Sequence, residues 1–95
     1  MIFLTRKLNM PHISYFLGVI IRMFYRDHNP PHFHAFYGDH QALIDIQKNE
    51  LFSGSLPPRV LGLVIEWTPL HQSELMENWK RAKKQETLLE IAPLV

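Results

Sequence analysis

The chain has no cysteine, which excludes disulfides, thiolate metal ligation and a nucleophilic thiol, and nothing in it marks an oxidising compartment. A cytoplasmic location is the default expectation. Glycine is scarce, with four residues, and neither glycine-rich phosphate-loop pattern occurs. Ser14, Ser53, Ser55 and Ser73 sit in no nucleophile-elbow context, so acyl chemistry on serine finds no support. The longest apolar runs, such as Phe16 to Ile21, fall far short of the ~20 residues a membrane span needs, and no membrane partner is expected. Met1 to Met10 carries Arg6 and Lys7 but neither a long apolar region nor a small-residue cleavage site, so it does not read as a signal peptide. Internal repeats, low-complexity tracts and flexible linkers are missing as well.

What remains is a chain of 95 residues, 46% hydrophobic and 12% aromatic, enough for one small domain with a core. Met10 is a second candidate start, which divides the chain into an extension over residues 1–9 and one domain over residues 10–95. The net charge of +1 conceals an uneven distribution. Up to His34, Arg6, Lys7, Arg22 and Arg26 stand against Asp27, a net +3, with four histidines in addition. From Ala35 to Leu56 the balance is −2, and the remainder cancels. The basic end is the histidine end, which suits an anionic partner without matching the strongly basic domains that bind nucleic acid by charge alone.

Side-chain periodicity divides the chain into a sheet half and a helical half. Leu17 to Tyr25 alternates, with Leu17, Val19, Ile21, Met23 and Tyr25 on one face and Ile20, Arg22, Phe24 and Arg26 on the other. After the proline elbow, Phe33, Ala35 and Tyr37 alternate with His32, His34 and Phe36 until Gly38-Asp39 signals a turn. Gln41 to Ile46 predicts a third strand and Lys48-Asn49 a turn. Leu51 to Ser55 predicts a short fourth strand, which Gly54 marks as an edge. From Pro57 the period becomes helical: Val60, Val64, Trp67, His71, Leu75 and Trp79 form one stripe, with His71 read as a core or interface histidine. Pro57 and Pro58 suit a first helical turn, whereas Pro69 predicts a kink or two helices in nearly the same phase. Lys80, Arg81, Lys83 and Lys84 complement the dipole of the last turn. The apolar segment Leu88 to Val95 is expected to pack along the domain or to reach a partner. The fold class is therefore α+β: a three- or four-stranded antiparallel meander followed by a long or kinked helix packed on one face.

The most informative segment is Arg26-Asp27-His28-Asn29-Pro30-Pro31-His32-Phe33-His34, with three of the six histidines in nine residues. Imidazole titrates near neutrality, so such a cluster offers proton transfer, metal ligation or phosphate contact. Alternation puts His32 and His34 on one strand face, roughly 7 Å apart along the backbone. Two ligands so spaced can share a metal, which His28 with Asp27, Asp39 or His40 would complete. Equally, the prolines can shape a hairpin corner in which the histidines only bond backbone. A third reading is phosphate chemistry without metal. RNA cleavage by 2′-hydroxyl attack needs a base, an acid and a cation, which imidazole and guanidinium supply. Arg22 and Arg26 share a face with Phe24, a combination suited to holding a phosphate and stacking a base.

The residues Met10-Pro11-His12-Ile13-Ser14, the run from Arg22 to Ala35 with its Asp-His-x-Pro-Pro-His-Phe-His signature, Leu56-Pro57-Pro58, Glu66-Trp67, Asn78-Trp79 and the tail Ile91-Ala92-Pro93-Leu94 resemble a family of small bacterial proteins known as a domain of unknown function. Members of that family resemble one half of two-gene modules. The resemblance implies a toxin-like component of a type II toxin–antitoxin system, with a small antitoxin protein as partner. It carries no catalytic assignment, and residues 1–9 and Pro69 depart from the family pattern. The leading expectation is a toxin-like protein that inhibits growth through RNA or the translation machinery, in the enzymatic version as a metal-independent ribonuclease. In that reading His28, His32 and His34 are catalytic, Arg22, Phe24 and Arg26 bind substrate, and no metal or cofactor is assigned. The alternative is a non-enzymatic protein-binding module whose histidine cluster is structural or metal-stabilised, and whether the chain is an enzyme stays open.

Overall fold

The computed structural model describes residues 11–95. The expected extension 1–9 and the second candidate start Met10 lie outside the described residues. Five strands, β1 (His12–Phe16), β2 (Val19–Arg22), β3 (His32–Tyr37), β4 (His40–Asp45) and β5 (Glu50–Ser55), form one antiparallel sheet in sequence order. Two helices follow, α1 (Pro58–Leu70) and α2 (Gln72–Lys83).

The sheet has five strands where three or four were expected: β1 precedes the strand predicted over Leu17 to Tyr25, which begins with the turn that joins β1 to the shorter β2. Leu17 and Gly18, with φ of 50° and 85°, form the two-residue turn between Phe16 and Val19, a backbone that matches the right-handed twist of the flanking strands. Leu17 is accordingly 53% exposed and not part of the core. The turns at Gly38-Asp39 and Lys48-Asn49 fall where expected, and Asn49 takes φ 56°. Gly54 on the edge strand β5 also has positive φ, and a Cβ there would sit 2.1 Å from the Gln41 carbonyl oxygen.

Val19, Ile21, Met23, Phe33, Ala35, Ala42, Ile44 and Ile46 form the buried core of the sheet. The helical stripe supplies the other half, through Val60, Val64, Trp67, Leu75 and Trp79. Trp67 lies 5.3 Å from Phe16 and 5.8 Å edge-on from Phe33, locking α1 to the sheet. Pro57 and Pro58 open α1 as expected, and the proline inside the stripe does give two helices, broken at His71. Pro69 has no N–H to offer the carbonyl of Ile65, and the Asn49 side-chain amide donates to that oxygen instead at 3.1 Å. His71 is half-buried at the junction, its ring tilted by 40° against Trp67 at 5.3 Å and bonded through Nδ1 to Glu74 Oε1 at 2.6 Å.

The C-terminal tail packs along the domain. Asn78, 1% exposed, clamps Leu89 by donating to its carbonyl at 2.8 Å and accepting its N–H at 2.9 Å. Ile91 then donates to the Ile13 carbonyl of β1 at 2.8 Å and accepts from the Ser14 hydroxyl, while the Trp67 indole donates to the Ala92 carbonyl. No helix among the described residues is long and apolar enough to cross a membrane.

Candidate functional site

The sheet face opposite the core carries Ile20, Arg22 and Phe24 from β2 and its exit, His32, His34 and Phe36 from β3, and Gln41 and Leu43 from β4. This follows from strict alternation, since their neighbours are the fully buried core residues. Between β2 and β3 the chain makes the elbow over residues 23–31. Its Asn29–Pro30 bond is cis, and Arg26 takes φ 56°. The elbow is tied to the end of α2: Arg26 donates its N–H to the Ala82 carbonyl, and Lys83 Nζ donates to the Asp27 carbonyl at 3.2 Å. That backbone turn leaves the Arg26 side chain exposed, while the Asp27 carboxylate reaches the histidines of β3.

Asp27 Oδ2 lies 2.9 Å from His32 Nε2 and 3.3 Å from His34 Nε2, and Oδ1 accepts the His28 N–H at 2.8 Å. His32 Nδ1 lies 2.7 Å from the Pro30 carbonyl oxygen, and Gln41 Nε2 lies 3.1 Å from His34 Nδ1. His32 is 4% exposed and His34 7%. Aromatic rings wall them in: Phe24 stands 4.4 Å from His34, Phe52 5.2 Å edge-on from His32, and Trp79 5.3 Å from His32. Phe36 stacks parallel to His34 at 6.3 Å, and Lys83 Nζ stands 5.5 Å from the Trp79 ring.

Burial pushes the Asp27 carboxyl up, but the hydrogen bonds from His28, His34 and His32 and the attraction of His32 outweigh it and hold the acid below its ordinary range. Burial pushes the His34 imidazole down, and repulsion by His32 adds to this, against the opposing pull of Asp27. A neutral His34 fits its contacts, with Nδ1 accepting from Gln41 and Nε2–H donating to Asp27. His32 is different. Its Nδ1 faces a carbonyl and its Nε2 a carboxylate, both acceptors, so the ring either donates from both nitrogens or shares a cation with Asp27.

Of the six expected site residues, His32, His34 and Phe24 come together, and Arg22 stands directly across the ladder from His34. His28 is exposed and reaches the cluster through its backbone N–H to Asp27, and the exposed Arg26 is tied to α2 through its own backbone N–H. The sequence offers Asp27 only as an optional metal ligand, yet it joins the two histidines. Gln41, Phe52 and Trp79 went unassigned. Gln41 pairs with Phe36 across the β3–β4 ladder, which places it beside His34, whereas no local pattern brings Trp79 to His32.

The chain belongs to the family described as Domain of unknown function (DUF4160), which matches residues 18–80. No curated protein and no solved structure matches it.

Proposed function

We propose that this DUF4160 protein is the toxin-like component of a bacterial type II toxin–antitoxin module, cytoplasmic, which engages RNA or the RNA of the translation machinery through the open sheet face and is neutralised there by a small antitoxin. The observation that carries the reading is the composition of that face. Arg22 lies across from His34, and Phe24, Phe36 and Phe52 surround the histidines. An antiparallel sheet bearing rings and a guanidinium is a platform on which unpaired bases stack while a phosphate is held, and stacking is worth about 1–3 kcal/mol per base. Two-gene modules of this type supply the biological context through the resemblance.

The ribonuclease version asks more of the histidines than contact. A general base must reach the 2′-hydroxyl, and His32 and His34 are almost fully covered. The same burial favours the second reading, a protein-binding module in which the cluster only stiffens the face. Induced expression separates the two when wild type is set beside Phe24→Ala/Phe52→Ala and His34→Gln, all at matched soluble levels. Growth arrest that the phenylalanine pair abolishes, with RNA crosslinked to wild type, supports the RNA reading. Cleaved RNA lost on His34→Gln assigns catalysis. Absence of arrest, with no RNA crosslinked, overturns the toxin reading and leaves the module.

A further inference from the structure

We propose that Asp27, His32 and His34 bind one divalent transition-metal ion, Zn²⁺ being the type, through Asp27 Oδ2 and Nε2 of each histidine. The three donor atoms lie within 4.8 Å of one another, with Oδ2 at 2.9 and 3.3 Å from the two nitrogens. Around an ion with N and O ligands at about 2.0–2.1 Å, tetrahedral donors are spaced by roughly 3.3 Å, so the two spacings to Oδ2 need only a small expansion, and the two imidazole nitrogens must stand at about that same separation, within their 4.8 Å bound, to close on a metal.

The outer contacts argue for the same assignment. A ligating histidine characteristically donates its other N–H to a carbonyl or carboxylate, which aims the remaining lone pair at the metal. His32 meets that condition: the Pro30 carbonyl at 2.7 Å takes Nδ1–H, and Nε2 points at Asp27. A metal on Nε2 also resolves the conflict of a buried ring set between two acceptors. His34 Nδ1 is held by the Gln41 amide at 3.1 Å, and turning that amide over presents its oxygen to Nδ1–H and frees Nε2 for the ion. Two imidazoles and one carboxylate suit Zn²⁺, Fe²⁺, Co²⁺ or Ni²⁺, not the oxygen-rich shells of Ca²⁺ and Mg²⁺. Three protein donors leave a position for water or a ligand.

The inference stands apart from the RNA reading, since metal binding is measured without nucleic acid. It does bear on that reading, because a histidine holding a metal through Nε2 cannot shuttle protons from that atom. The test titrates Co²⁺, then Zn²⁺, into the chelator-stripped full chain. The expected result is one Co²⁺ per chain with intense visible d–d bands that Zn²⁺ bleaches. Asp27→Asn and His34→Gln should each weaken binding by about tenfold or more, while His12→Ala/His40→Ala, which removes two exposed imidazoles, should leave it unchanged. In the wild type, with no variant needed, Co²⁺ should shift or broaden the Phe24 and Trp79 signals before those of Tyr15. Absence of stoichiometric binding overturns the assignment, as does binding lost with His12 and His40 but insensitive to Asp27 and His34. In either case His32 is a doubly donating ring paired with Asp27.

Discussion

Asn78→Ala should detach the tail, and its cost follows from the contacts. Asn78 makes two hydrogen bonds to the backbone of Leu89, at 2.8 and 2.9 Å. Each contributes about 1 kcal/mol net. The amide is 1% exposed, and removing it leaves a void of roughly 40 Å³, which at about 24 cal/mol per Å³ adds about 1 kcal/mol. Leu89 is half-exposed, so water takes over its freed N–H and carbonyl and no orphan penalty is added. The sum is about 2–3 kcal/mol, a large share of the about 5–15 kcal/mol that holds a domain together. At about 4–8 °C per kcal/mol for a chain of this size, the melting temperature should fall by roughly 10–20 °C. Chemical denaturation with Glu90→Ala as an exposed control gives the free energy. Amide exchange at Ile91, whose N–H is bonded to β1, reports whether the tail lifts first. A loss below about 1 kcal/mol with Ile91 still protected would refute the clamp.

Gly54→Ala should be among the most damaging single-methyl changes. The positive φ alone costs about 1–2 kcal/mol, and the collision with the Gln41 carbonyl forces β5 off β4, so chemical denaturation should show a loss of at least about 2 kcal/mol. Asn49→Ala should cost about 2 kcal/mol, from the left-handed backbone and the lost bond to Ile65, whereas Asn49→Gly should retain the backbone and lose only about 1 kcal/mol. In the metal-stripped protein, His34 has its folded value below the ordinary 6.5, so its contribution is complete above that pH and disappears as pH falls through the folded value. Asp27, likewise depressed, contributes fully above its ordinary 3.8 and loses that stabilisation at still lower pH. Thermal unfolding between pH 7.5 and 3 should therefore show stability falling in two stages, and His34→Gln should remove the upper one.

Much of this was legible because it obeys local periods. The alternation of β3 and β4, the turns at Gly38 and Asn49, and the stripe from Val60 to Trp79 were each written in spacing. β1 was not. His12–Phe16 buries Ile13 and Ser14 in succession around a register shift, which erases alternation, and its hairpin turns on Leu17, a residue type that turn chemistry does not select. At the site, the spacing of His32 and His34 was sufficient to place them side by side. Asp27 was not legible as the link between them, because its carboxylate meets the histidines only through the left-handed backbone at Arg26 and the elbow that follows. Phe52 and Trp79 reach His32 from elements 20 and 47 residues away, a proximity that follows from packing and from no pattern within the segment.

The two borders of the sheet are unlike. Along β1 the tail is seated, with Ile91 bonded to Ile13. Along β5 every residue from Glu50 to Ser55 is exposed, Leu51 and Phe52 included. Among the described residues, strand addition has one uncovered border, and two chains joined β5 to β5 would consume both. Assembly by that route is closed at two copies, whereas releasing the tail would open a second border and turn a self-limiting contact into one that can propagate.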